Sequence, residues 1–107
     1  MQLTEDITTA DLSDPQPGQV FAGRLQADMG EPFRPGRVVA LRVLAPGDPM
    51  MIGTLYILDD GSDVAILRLQ GESPDLWIVD RFSGDGGSPR CALARRRWRP
   101  RAAITVQ

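Results

Sequence analysis

The densest group of acidic side chains in the sequence is three aspartates around one glycine, in the segment Asp59-Asp60-Gly61-Ser62-Asp63. Two carboxylates in a cleft are sufficient for general acid/base catalysis or glycoside hydrolysis. A calcium loop is excluded, because the segment lacks the ligand spacing and the terminal Glu. Aspartates beside a glycine are also typical of a tight turn, where their oxygens accept hydrogen bonds from the local backbone. We therefore predict a hairpin turn at residues 59–62.

Missing residue types exclude most other chemistry. The chain of 107 residues has no His, no Lys and no Asn, and all 12 basic residues are Arg. Nucleophilic triads, a phosphate-binding P-loop and a Schiff-base lysine all need His or Lys. The single Cys91 cannot supply a four-ligand zinc site without His. We therefore expect a protein that is not an enzyme and that has neither cofactor nor metal.

A glycine-rich segment, Ser83-Gly-Asp-Gly-Gly87, follows an aromatic, β-branched run. It has neither the spacing of a dinucleotide-binding loop nor a following helix that would receive a phosphate. Glycines at this place favour the positive-φ positions of a turn. We predict the tip of a β-hairpin.

An arginine-rich segment occupies residues 95–101, with the sequence RRRWRPR. It could bind phosphates, with Trp98 stacked on a base. The acidic isoelectric point, about 4.9, is unlike that of a nucleic-acid-binding domain. The alternative is contact with acidic surfaces of a protein partner, for which Arg and Trp are common anchors. Both alternatives stay open; we favour the protein partner and expect Trp98 at the interface.

Charge is distributed unevenly along the chain. Residues 1–33 hold six acids and one Arg, whereas residues 90–107 hold six Arg and no acid. Such an asymmetry of charge suggests self-complementary assembly or an interaction tail. Two termini that are simply solvated would give the same pattern.

Alternating apolar residues and turn signals divide the chain into short strands. We predict strands at residues 19–25, 37–45, 50–58, 63–70, 75–82, 90–96 and 102–107. The length suits one domain and no second core. The expected fold is therefore all-β: a small antiparallel β-sandwich or barrel of six to seven strands with meander connections.

The expected organisation is a flexible N-terminal arm, residues 1–18, and one β domain, residues 19–107. Residues 26–36, with two Pro and two Gly, predict a long mobile loop within that domain. The acidic N-terminus lacks the apolar core of a signal peptide, and no apolar run reaches the ~20 residues of a membrane helix. One cysteine fits a reducing cytoplasm.

Residues 76–96 resemble the C-terminal hairpin of the head–tail joining proteins of lambdoid tailed phages. That family has an aromatic-Val-Asp-Arg strand, a Ser/Asp/Gly tip, a short apolar strand and an Arg-containing tail. The matching residues are Trp77, Val79, Asp80, Arg81, Ser83, Asp85 and Gly87. Upstream segments at 20–31, 36–43 and 61–67 follow the same order more loosely, so the resemblance covers about residues 19–99. The family's longer N-terminal segment is here an arm of 18 residues.

The resemblance implies a head completion, or stopper, protein at the head–tail interface of a virion, made in the host cytoplasm. A homo-oligomeric ring, hexamer or dodecamer, would join the portal or an adaptor to the tail terminator or tail tube. It would close the DNA channel until the tail attaches, and the DNA would pass without sequence-specific binding. The residues expected to contact partners are Met29, Phe33, Arg34, Arg95, Arg96, Arg97, Trp98 and Arg99.

A second resemblance gives an alternative function. Residues 46–51, PGDPMM, are similar to the Gly-Asp-Ser-Met turn of LexA-like repressor peptidases. Pro49 stands where the catalytic Ser would be, and the chain has no Lys to activate one. This resemblance implies a non-catalytic regulatory binding module, such as an inactive LexA-like domain or a small phage inhibitor.

Overall fold

The protein folds into eight β-strands in a computed structural model, which describes residues 7–9, 16–26, 33–81 and 90–106. The strands are β1 (Ile7–Thr9), β2 (Val20–Leu25), β3 (Val38–Val43), β4 (Leu55–Asp59), β5 (Val64–Glu72), β6 (Leu76–Arg81), β7 (Arg90–Ala94) and β8 (Arg99–Val106). All pairings are antiparallel, and the described residues contain no helix. The predicted all-β antiparallel class is confirmed.

Two predicted strand boundaries are wrong. The strand expected at 50–58 begins only at Leu55, because Gly53 adopts a φ of 91° and closes a turn where the sequence suggested a bulge. The strand expected at 102–107 begins already at Arg99, and residues 95–97 form a turn before it. The arginine-rich segment is therefore not a tail.

The N-terminal segment contains some regular structure. Within the segment predicted to be a flexible arm, Ile7–Thr9 forms a short strand that pairs with β2. Residues 1–6 and 10–15 lie outside the described part, as do residues 27–32 of the predicted mobile loop. The end of that loop is attached to the sheet, since the Gly36 amide donates to the Leu25 carbonyl at 2.8 Å.

The strand order β1-β2-β3-β8-β4-β5-β6-β7 departs from the expected meander at one point. β8 lies between β3 and β4 and is antiparallel to both. β3 and β4 are therefore parallel to each other, and residues 44–54 must lead from Val43, opposite Ala102, back to Leu55, opposite Ile104. We call this connection the crossover.

The sheet is bent strongly on itself. Its smallest dimension is 24 Å, whereas a single flat sheet is on the order of 10 Å thick. In a flat sheet β7 and β8 would be about 19 Å apart, four strand spacings. Here only residues 95–98 join them, and the amides of Arg97 and Trp98 both donate to the Ala94 carbonyl at 3.1 Å. The β5–β7 side must therefore fold over the central strands.

Two hydrophobic cores result, one on each face of the central strands, where the chain length predicted only one. Along β4, Leu55 and Ile57 face the first core, and Tyr56 and Leu58 face the second. The first core comprises Leu25, Phe33, Val39, Leu41, Leu55, Ile57, Ile66, Ala102 and Ile104. The second core comprises Leu44, Tyr56, Leu58, Ala65, Leu67, Leu69, Trp77, Val79, Leu93, Trp98 and Ala103.

Candidate interaction surface

The aspartate cluster forms the predicted turn between β4 and β5. The Asp60 carboxylate accepts hydrogen bonds from the amides of Asp63 at 2.7 Å and Ser62 at 2.9 Å. These bonds hold the pKa of Asp60 below its usual value, and the charge of Arg97, 3.6 Å away, lowers it further. Asp59 accepts a hydrogen bond from Arg101. The described residues contain no group of three or more potential metal ligands. The hydrogen bonds and ion pairs of Asp59 and Asp60 stabilise the turn.

The two charged residues of β6 face opposite sides of the sheet, as predicted. Asp80, whose side chain is 18% exposed, accepts hydrogen bonds from Gln70 Nε2 at 2.6 Å and from Arg90 Nε at 3.0 Å. The Arg90 hydrogen bond is the main cause of a lowered pKa at Asp80. On the other face, the guanidinium of Arg81 lies 5.5 Å from the centre of a Trp98 ring. Asp80 thus ties β6 to both neighbouring strands.

Arg95 begins the turn between β7 and β8 and is held in place by three contacts. Its Nη1 donates to the Ser73 carbonyl at 2.7 Å. Its guanidinium lies 5.2 Å from the centre of the Trp77 ring, within cation–π range. The Glu72 carboxylate is 3.9 Å away. This arginine therefore packs over the rim of the second core.

The next arginines differ in what they contact. Arg97 forms an ion pair with Asp60 at 3.6 Å, and Arg101 pairs with Asp59. The side chains of Arg96 and Arg99 are exposed. Exposed guanidinium groups can form paired hydrogen bonds to a carboxylate of another molecule, so Arg96 and Arg99 are best placed to bind an acidic partner.

The structure buries two of the predicted contact residues. Trp98 and Phe33 are each only 8% exposed, and they lie in the second and the first core. Trp98 cannot stack on a base or insert into a partner, because the bend of the sheet brings the β7–β8 turn over its own core. Phe33 covers the first core, with the guanidinium of Arg68 5.7 Å from its ring centre. Neither aromatic ring is available as an exposed anchor.

The two remaining predicted residues belong to the connection between β2 and β3. Met29 lies outside the described residues. Arg34 is exposed and its carbonyl accepts a hydrogen bond from the Arg37 amide in the turn before β3.

Two shallow depressions lie between the crossover and the arginine segment. One, of about 390 Å³, is lined by Gly47, Asp48, Pro49, Met50, Glu72, Trp77, Arg95 and Pro100. The other, of about 330 Å³, lies between residues 44–48 and 99–101. The Leu44 amide donates to the Arg101 carbonyl at 2.9 Å and fixes the two segments side by side. Residues 44–50 of the crossover therefore lie beside Arg95 and residues 99–101 of the arginine segment.

The crossover presents two exposed apolar side chains that sequence reasoning missed. Met51 and Ile52 are 70% and 65% exposed, although Met50 beside them packs against the second core. The Met51 amide donates to the Tyr56 hydroxyl at 2.7 Å, and the Gly53 amide to the Leu69 carbonyl at 2.7 Å. The tip is therefore held outward by the sheet. The sequence signal that could have predicted this exposed tip is Pro49 and Gly53 at the two ends of an apolar run, a pattern typical of a turn.

We define the crossover surface as Met51, Ile52, Arg95, Arg96 and Arg99. It combines apolar side chains and arginines on two adjacent connections. Apolar and Arg side chains that are held outward are the composition of protein–protein contact sites.

Comparisons of the chain with protein-family models, curated proteins and solved structures find no match. The described residues contain no helix long and apolar enough to span a membrane.

Proposed function

We propose that the protein is a head–tail connector of a tailed phage, of the head completion or stopper class. Identical subunits form a ring between the portal or its adaptor and the tail, and the ring closes the DNA channel until the tail attaches. The observation that carries this proposal is the crossover surface, where apolar and guanidinium groups are held outward on a small all-β scaffold. The resemblance of residues 76–96 to the phage head–tail joining proteins suggests the portal or its adaptor as the partner.

The crossover surface has the properties of a docking site for another protein. Met51 and Ile52 would bury apolar area on contact, and Arg96 and Arg99 would pair with acidic groups around it. Because hydrogen bonds from Met51 and Gly53 already fix the tip, little conformational entropy is lost on docking. We place the portal or adaptor ring on this surface.

The charge distribution supports a ring. The acid-rich residues 1–33 and the Arg-rich residues 90–107 are opposite in sign. Head-to-tail contacts between unlike surfaces of identical subunits close into a ring when the rotation between subunits allows it.

The decisive experiment combines the purified protein with a purified phage portal ring, followed by negative-stain microscopy. The expected result is a disc of density on one end of the portal. The proposal fails if the protein stays monomeric, leaves portals bare and instead binds a repressor or a nuclease, the behaviour of a regulatory module.

Matched variants locate the contact. The double substitution Met51→Ser/Ile52→Ser and the substitution Arg96→Glu should each reduce portal binding at least tenfold. Val20→Ser and Arg37→Glu change an exposed apolar residue and an exposed arginine elsewhere, and should leave binding unchanged. Equal losses in all four variants would contradict the assignment of the crossover surface.

A further inference from the structure

The two outermost strands of the sheet each have one edge without a partner among the described residues. β1 pairs only with β2, and β7 pairs only with β6. An open edge presents a row of backbone amide and carbonyl groups that can pair with another strand. These two edges lie at opposite ends of the strand order.

The residues of both edges favour further strand pairing. β1 has the sequence Ile-Thr-Thr, which is entirely β-branched. β7, Arg-Cys-Ala-Leu-Ala, contains no proline and one charged residue, at its first position. Soluble proteins usually block such edges with proline, charges or bulges, and neither strand has a block in its interior. The edges are therefore suited to a protein partner.

Charge distinguishes between the possible pairs of edges. Pairing two β7 edges would bring together two segments that hold six Arg and no acid, four of them in ion pairs within their own subunit, and would place the exposed Arg96 and Arg99 of both copies on the same side. Pairing two β1 edges would bring together the two acids that directly precede β1 in the sequence, Glu5 and Asp6, from each copy. Pairing β7 with β1 of a second copy joins opposite charges. Electrostatics thus favours the head-to-tail arrangement over both two-fold symmetric dimers.

Strand direction is compatible with the same arrangement. The eight strands alternate in direction across the sheet, because every pairing is antiparallel. With an even number of strands, β1 and β7 run in opposite directions. When a second copy is related by a rotation about an axis along the strands, its β1 meets β7 in antiparallel orientation. The alternation would then continue from subunit to subunit.

We infer that the partner of the β7 edge is β1 of a second copy of this chain, and that repetition of this pairing builds the ring. The inference rests on the proposed function for the closure of the ring, since the edges alone would also permit an open chain. It adds the contact between subunits, which is separate from the portal contact at the crossover surface.

Disulfide trapping can test this contact because Cys91 already lies in β7. Successive register partners across the sheet place the positions of Thr8 and Cys91 on the same face. The substitution Thr8→Cys therefore supplies one cysteine on each edge. After mild oxidation, alone and with the portal ring, non-reducing electrophoresis should show a ladder of dimers, trimers and higher species.

The matched controls separate the three possible pairs of edges. The unmodified chain has a cysteine only in β7, and Thr8→Cys/Cys91→Ser has one only in β1. Neither control should give more than traces of dimer. Strong dimer from either control would show a symmetric pairing and overturn the inference.

A second cysteine pair controls for poor reactivity of the half-buried Cys91. Ile7→Cys and Ala92→Cys, in the Cys91→Ser background, occupy positions on the opposite face that belong to the same antiparallel register as Thr8 and Cys91. Absence of a ladder from both pairs, with and without portal, overturns the inference. A disc on the portal without a ladder would leave the proposed function standing and refute the edge contact. A ladder without portal binding would support the edge contact and refute the connector function.

Discussion

The two cores of this protein are built from the same central strands but are closed in different ways. The first core is aliphatic apart from Phe33, which reaches it from the β2–β3 connection. The second contains Tyr56, Trp77 and Trp98. Arginines lie over both tryptophans. The ion pairs that the described residues form on this side of the molecule include Arg90–Asp80, Arg95–Glu72, Arg97–Asp60 and Arg101–Asp59.

The difference between the two cores shows how a short chain can hold arginines at its surface and still keep a hydrophobic core beneath them. The aromatic rings of the second core have broad faces, and guanidinium groups can pack on them while their polar edges stay in water. The first core supports the sheet. The second core supports the sheet and also carries the arginine segment, so interaction residues lie directly over structural ones.

The largest expected effect comes from removing the aromatic ring that covers each core. Trp98→Ala should lower the free energy of unfolding by about 3–5 kcal/mol, and Phe33→Ala by a similar amount, because both rings are buried. Urea unfolding monitored by circular dichroism measures both. A loss below about 1 kcal/mol for Trp98→Ala would mean that Trp98 is not part of the core.

Independence of the two cores is tested by one leucine from each. Leu41→Ala and Leu67→Ala, in the first and second core, should each lower the free energy of unfolding by about 2–5 kcal/mol. The two residues lie on β3 and β5 and face different cores, so the double variant should show the sum within about 0.5 kcal/mol. Non-additivity above about 1 kcal/mol would show that the cores act as one.

The Asp80 ion pair should make the β5–β7 side sensitive to acid. Asp80→Asn should lower the free energy of unfolding by about 1 kcal/mol at neutral pH, because Arg90 and Gln70 lose a charged acceptor. The pKa of Asp80 is lower in the folded protein than in the unfolded chain. Its contribution is therefore complete above ~4, the ordinary pKa of Asp, and is lost as the pH falls through the lower folded value.

Urea unfolding at a series of pH values would measure this dependence. The difference between the wild-type protein and Asp80→Asn should shrink below pH ~4. Asp75→Asn, which changes an exposed aspartate in the turn before β6, is the control and should have little effect at any pH. If the difference in the free energy of unfolding between the wild-type protein and Asp80→Asn grew at acidic pH, it would contradict the role assigned to Asp80.

The smallest effects distinguish neighbouring arginines of one turn. Arg95→Ala should lower the free energy of unfolding by about 0.5–1 kcal/mol, since it removes the contact with Trp77 and the bond to Ser73. Arg96→Ala should change it by less than about 0.5 kcal/mol, because that side chain is exposed. Thermal unfolding of the two variants side by side measures the difference. Equal losses would show that Arg96 has a structural contact as well.

The sequence by itself determined the class of fold and most strand positions. Alternation and turn residues placed six strands to within three residues at each end, because side-chain periodicity and the glycines of turns are local properties. The same local chemistry identified the Asp59–Asp63 turn and the opposite directions of Asp80 and Arg81.

Tertiary structure decided which residues the fold buries and which it presents. The position of β8 between β3 and β4, and the bend that brings β7 to β8, depend on contacts between residues far apart in the chain. Those contacts buried Trp98 among arginines and exposed Met51 and Ile52 within an apolar run. Local sequence suggested the opposite in both places, because burial is a property of the assembled sheet and not of the segment.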